Sequence, residues 1–163
     1  MRYIADFHIH SRYARACSKR LSPSMIAAWS MIKGLQVVSC ADFTHPAWYK
    51  TLVEQLEPSS EGLYRLKPVF QKEAFDHIES LGITRRFRDV EFMIATEVSC
   101  IYSKNGSVRR VHILIFAPSL EVAGAINAEL VKRGAKLASD GRPILGLDAK
   151  LLAQIVSDID SQC

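Results

Sequence analysis

The chain has 163 residues, 48% of them hydrophobic and 23% charged, which suits one domain with a packed core or part of a larger one. No apolar run approaches the roughly 20 residues that span a bilayer, and the first residues lack the basic, apolar and small-residue series of a signal peptide, so a cytoplasmic location without a membrane partner is expected. The net charge of +4 permits a polyanionic partner without requiring one, and Cys17, Cys40, Cys100 and Cys163 show no CxxC spacing, which argues against a zinc ribbon or a redox pair.

The first apolar run, Tyr3 to His10, reads as a strand. With side chains alternating at period 2, Asp6, His8 and His10 share one face, where two imidazoles can converge on a single cation. A turn-rich stretch from Ser11 to Ser22 follows, carrying Arg12, Arg15, Lys19 and Arg20. Ser22 and Pro23 then mark the start of a helix over Met25 to Lys33, stopped by Gly34. Gln36 to Ala41 reads as a second strand, and Pro46 to Leu56 as a second helix.

Pro58 to Pro68 is loop-like, and Val69 to Leu81 carries a helical pattern closed by Gly82. Val90 to Tyr102 reads as a strand, the Asn105-Gly106 step as a hairpin turn, and Val108 to Ala117 as the returning strand. Pro118 to Arg133 and Asp148 to Asp160 complete the helices, the last with Leu151, Leu152, Ile155 and Ile159 as its apolar stripe. Repeated strand-helix units predict one α/β domain whose sheet is mostly parallel, with an inserted hairpin. Only about four strands are legible, fewer than the roughly eight of a closed barrel.

Four of the five histidines fall at strand termini or their loops. His8 and His10 are joined by Asp42 and His45 after the second strand, Glu97 at the end of the run Phe92 to Glu97, and His112 near the start of the hairpin's return strand. Imidazole with carboxylate suits zinc, manganese or iron, and a carboxylate can bridge two ions. Such a centre polarises a phosphoryl oxygen and activates water, so metal-assisted phosphoester hydrolysis is the chemistry implied. Each residue also has a plainer use. Asp42 can accept at a helix N-terminus, His45 can pack beside Pro46, Glu97 can pair with Arg109 or Arg110, and His112 can be a satisfied core residue. Tyr13, Trp48 and Tyr49 can stack on a base or pack in the core.

Asp6-Phe7-His8-Ile9-His10-Ser11, with Asp42, His45, Glu97 and His112, resembles the PHP (polymerase and histidinol phosphatase) superfamily of metal-dependent phosphoesterases. Within it, His8 to Lys19, Ala41 to Trp48 and Gly141-Arg142-Pro143-Ile144-Leu145-Gly146-Leu147 look like the endonuclease Q branch, which cuts DNA beside deaminated bases. The resemblance implies a distorted (β/α)7 barrel. In it His8, His10 and Glu97 hold one ion, Glu97 and His112 a second, and His45 a third, with zinc expected and manganese or iron as alternatives. It makes DNA the expected partner, with phosphates met by Arg12, Arg15 and Lys19.

Two departures qualify this. Ala16 and Cys17 stand where many members carry a further histidine, and nothing matches the family's later histidine and terminal Asp-x-His. Residues 1–163 therefore read as a single PHP-like domain, a partial barrel lacking its C-terminal strands and last metal motifs, weak or silent in catalysis. The unpaired sheet edge of such a barrel favours self-association or association with a missing C-terminal portion. The competing functions are a small-molecule phosphatase of the histidinol phosphatase type and a non-catalytic binding module.

Overall fold

The computed structural model describes residues 3–163. Strand β1 (Ala5–Asp6) pairs in parallel with β2 (Val37–Ser39), which pairs in parallel with the first residues of β5 (Glu91–Lys104). On the far side of β5 lie β4 (Leu63–Leu66) and β3 (Leu56–Ser60), both antiparallel. From Ile94 onward β5 pairs antiparallel with β6 (Ser107–Ala117), and the short β7 (Ile144–Leu145) joins it in parallel at Ser99 and Cys100. The helices are α1 (Pro23–Lys33), α2 (Pro46–Gln55), α3 (Pro68–Ser80), α4 (Leu120–Lys132) and α5 (Ala149–Ile159). No helix among the described residues is long and apolar enough to cross a membrane.

The fold is thus mixed α/β, with seven described strands and five helices. The expectation of a mostly parallel sheet is corrected, because three of the six strand pairings are antiparallel and they include the longest. Pro58 to Pro68, read as a loop, contains the end of β3, all of β4 and a turn at Gly62. Pro58, Ser59, Ser60 and Glu61 are poor strand formers, and the hairpin is held instead by Leu63 and Tyr64 pairing with Met93 and Phe92.

Local signals placed most helix ends. The Ser22 hydroxyl accepts from Met25 N–H at 3.2 Å, Pro23 occupies the first turn, and Gly34 stops α1 in the left-handed region at φ 81°. Asn105 and Gly106, both at positive φ, turn β5 into β6 as the Asn-Gly step predicts. On α5, Leu152, Ile155 and Val156 are buried, whereas Leu151 of the expected stripe faces solvent. α1 packs on α3 and α4 on α5, and the core runs from Ile26 to Val156 through the fully buried Trp48, Phe43, Phe92 and Ile94.

Candidate metal centre

β1 ends at Asp6, so His8 and His10 lie in the loop beyond it rather than on a continuing strand. The Asp6 carboxylate accepts from His8 N–H at 3.2 Å and helps set that loop. The two rings sit 5.6 Å apart at 70° and face the same carboxylate. His8 Nε2 and His10 Nε2 lie 3.2 and 3.1 Å from Glu97 Oε2, while His112 Nδ1 lies 2.8 Å from Glu97 Oε1. Glu97 itself is only 3% exposed.

Glu97 is mid-strand in β5, and the β5–β6 register explains its meeting with His112. His112 pairs with Ser99, two residues beyond Glu97 on the same face, which makes it the carboxylate's diagonal neighbour. β6 begins at Ser107, so His112 is central in its strand and not at its start. Arg109 and Arg110 pair instead with Tyr102 and Ile101. The cation that reaches Glu97 is Arg142, at 3.6 Å, on the approach to β7.

Asp42 lies behind His10, completely buried. Its Oδ1 is 3.0 Å from His10 Nδ1, and its Oδ2 accepts from Ser11 N–H at 2.6 Å. Ala41 and Asp42 both adopt left-handed backbone, at φ 60° and 37°. Asp tolerates that region but Ala does so at a cost, so the chain stores strain where it turns this carboxylate toward His10. The segment is pinned by Trp48, whose Nε1–H is shared between the carbonyls of Cys40 and Ala41 at 2.9 and 3.0 Å. It is closed by Gly141, where a Cβ would strike the Asp42 carboxylate.

Burial pushes the Glu97 carboxyl up, but the His8 hydrogen bond and the charges of Arg142 and His112 outweigh it and hold Glu97 below the usual range. The hydrogen bond to Asp42 raises His10 above the ordinary imidazole value of 6.5 against the effect of burial. With Nδ1 bonded to Asp42, the His10 Nε2 faces Glu97 Oε2 as acceptor to acceptor unless a proton or a cation lies between them. His8, His10 and Glu97 each offer a ligand atom within 4.8 Å of the others, and the roughly 3–4 Å separations around one zinc-like ion fit the 3.1 and 3.2 Å observed. These residues can therefore hold a divalent cation. Asp42 stands in the position of a carboxylate that orients a ligand histidine.

His45 stands apart from this group. Its ring stacks on Tyr13 at 4.0 Å and 18°, Nδ1 is buried without a partner, and burial lowers its pKa. Arg12 Nε donates to the Leu21 carbonyl at 2.7 Å with its guanidinium over Trp48, and Lys19 Nζ donates to the Arg12 carbonyl at 3.1 Å. Both cations are thus engaged by their own loop. Arg15 faces a cleft beside His112. Arg142 and Gly141 are the site residues that spacing alone did not single out, and their only trace in the sequence is the Gly141-Arg142-Pro143 phrase.

No protein-family model matches the chain. An uncharacterized protein of Methanocaldococcus jannaschii is 26% identical over 154 residues, covering 94% of this chain and 15% of its own length. The crystal structure of the lesion-specific endonuclease PfuEndoQ from Pyrococcus furiosus superposes with a TM-score of 0.72 and 27% identity, over 97% of this chain and 32% of that one. The likeness is to endonuclease Q, a PHP-superfamily enzyme. A second endonuclease Q structure, in complex with a 27-mer duplex carrying an abasic lesion at its active site, matches with a TM-score of 0.71 and 27% identity, over 96% of this chain and 32% of that one. The chain therefore spans about a third of endonuclease Q and less than a sixth of the curated relative.

Proposed function

We propose that this chain is the metal-holding part of a phosphodiesterase that cuts DNA beside deaminated bases. The observation that carries the reading is Glu97, a buried carboxylate within 3.2 Å of His8, His10 and His112 on a fold shared with endonuclease Q. Two oxygens facing separate imidazoles suit one ion at His8, His10 and Glu97 and a second at Glu97 and His112, with zinc first and manganese or iron as alternatives. When bound, such ions polarise a phosphoryl oxygen and activate water. The chain's own part is positional: Asp42 aims the His10 ring, Glu97 stays ionised, and Arg142 supplies positive charge beside it. His45, outside the His8-His10-Glu97 group and stacked on Tyr13, is the ligand this proposal gives to a third ion.

On this reading residues 1–163 form one PHP-like domain, a partial barrel whose remaining strands and ligands come from elsewhere. It acts in the cytoplasm on DNA, and either self-association or a C-terminal portion completes it. The test is nicking of a duplex carrying one deoxyuridine by the metal-loaded chain. Nicking abolished by Glu97→Gln supports the proposal. An intact duplex with hydrolysis of a small phosphomonoester turns the assignment to a phosphatase, and DNA binding with less than one ion per chain turns it to a binding module.

A further inference from the structure

Beside the centre lies a cleft of about 460 Å³, on the side where His112 and Arg142 face outward. Three guanidinium groups line it from segments distant in sequence: Arg15 in the loop after β1, Arg110 on β6 and Arg142 before β7. Arg110 and His112 are two apart on β6 and so share a face, which puts the arginine next to a ligand of the centre. The only carboxylate in the lining is Asp140, and its Oδ1 already accepts from Arg142 N–H at 2.9 Å. Among the described residues Arg15 and Arg110 form no ion pair. Arg142 is held 3.6 Å from Glu97, whereas Arg15 and Arg110 have no acidic partner of their own among those residues, and forked donors match phosphate oxygens.

We infer that Arg15, Arg110 and Arg142 grip a DNA backbone phosphate next to the one presented to the centre, fixing the path of the strand past His112. This rests on the phosphodiesterase reading and sharpens it. It moves the phosphate contacts from Arg12 and Lys19, which are bonded within their own loop, to the hairpin strand and the β7 approach. Arg142 touches both Glu97 and the cleft, and so joins the anion site to the metal centre.

The experiment uses the whole chain and a fluorescein-labelled duplex with one deoxyuridine, following anisotropy across a salt series alongside metal content. Losing the one phosphate these arginines neutralise should lower the slope of log affinity against log salt by roughly 0.9. Arg15→Ala with Arg110→Ala is therefore expected to weaken low-salt binding at least tenfold and flatten the slope by that amount, with metal content unchanged. Arg110→Lys, which keeps the charge, should recover most of the slope. Arg65→Ala, whose guanidinium is paired with Glu57 on the β3–β4 hairpin, should match the wild type. A double variant with the wild-type slope, on a chain that still holds metal and binds DNA, overturns this inference and leaves the phosphodiesterase reading standing. A wild-type chain that holds neither metal nor DNA overturns both.

Discussion

His10 and His45 each follow a strand of the same sheet, and the molecule moves them in opposite directions. His10 is met by carboxylates from two other segments, Asp42 on Nδ1 and Glu97 on Nε2, and its pKa rises. His45 lies against Tyr13, where the loss of water outweighs the pull of the Asp42 and Asp140 carboxylates, and its pKa falls. Proximity to a strand end made both look like ligands. Partner geometry distinguishes them: the His10 imidazole is fixed by an outer carboxylate and faces an inner one, whereas the His45 ring is stacked and desolvated.

Glu97→Gln should break the His10 side of this contrast most severely. The amide keeps the shape but removes the charge shared by three histidines, so metal affinity is expected to fall by more than about 100-fold. Calorimetric titration with zinc would show it, and His8→Ala alone should cost less because Glu97 serves both halves of the centre. Equal metal content in wild type and Glu97→Gln would remove Glu97 from the site.

Asp42→Asn comes next, with a loss of roughly 10–100-fold that grows from misorientation of His10. It also carries a pH signature. Asp42 favours the imidazolium form of His10, so a bound proton competes with metal, and loading of the wild type at a fixed zinc concentration should rise with pH through a midpoint that this proton helps set. Without the carboxylate the proton leaves more readily, and the midpoint should move down. A variant with an unmoved midpoint would show that Asp42 does not set the His10 proton.

Gly141→Ala should act on the same pair more weakly, by about tenfold in metal affinity, because its new methyl group pushes the Asp42 carboxylate away from His10. Combined with Asp42→Asn, the alanine should add little, which a double-mutant cycle would measure.

The smallest effect is expected at His45. His45→Ala should leave the ions at Glu97 in place, lose only the proposed third ion, and cost ~1 kcal/mol of stability through the lost Tyr13 stack. The folded chain holds this imidazole below its ordinary 6.5, so the unfolded chain binds the proton first as pH falls. Stability from this group is therefore present above 6.5 and declines on acidification below it. His45→Phe, which keeps a ring against Tyr13 and does not titrate, should flatten that decline in thermal melts between pH 7 and 5. Metal content unchanged in His45→Ala would remove His45 from the proposed ligand set.

Much of the centre was legible before any fold was known. The His8-His10 pair, Glu97 in an apolar run and His112 across an Asn-Gly hairpin are short-range signals, and period-2 geometry with a tight turn leaves little freedom in how they meet. The gathering around Glu97 agrees with the expectation drawn from them. The contribution of Arg142 was not legible, since a cation in a loop 45 residues beyond Glu97 has no local feature that ties it to the site. Nor was the β3–β4 hairpin, whose proline and serines signal a turn until β5 supplies the pairing.

The amino-acid order by itself determined helix caps and the hairpin, because each depends on neighbours within a few residues. Only tertiary structure decided that Asp42 stands behind His10, that His45 stacks on Tyr13 and that three arginines share one cleft. Those outcomes depend on which distant segments the sheet brings within hydrogen-bond reach, where a few ångströms separate a ligand from a packing residue.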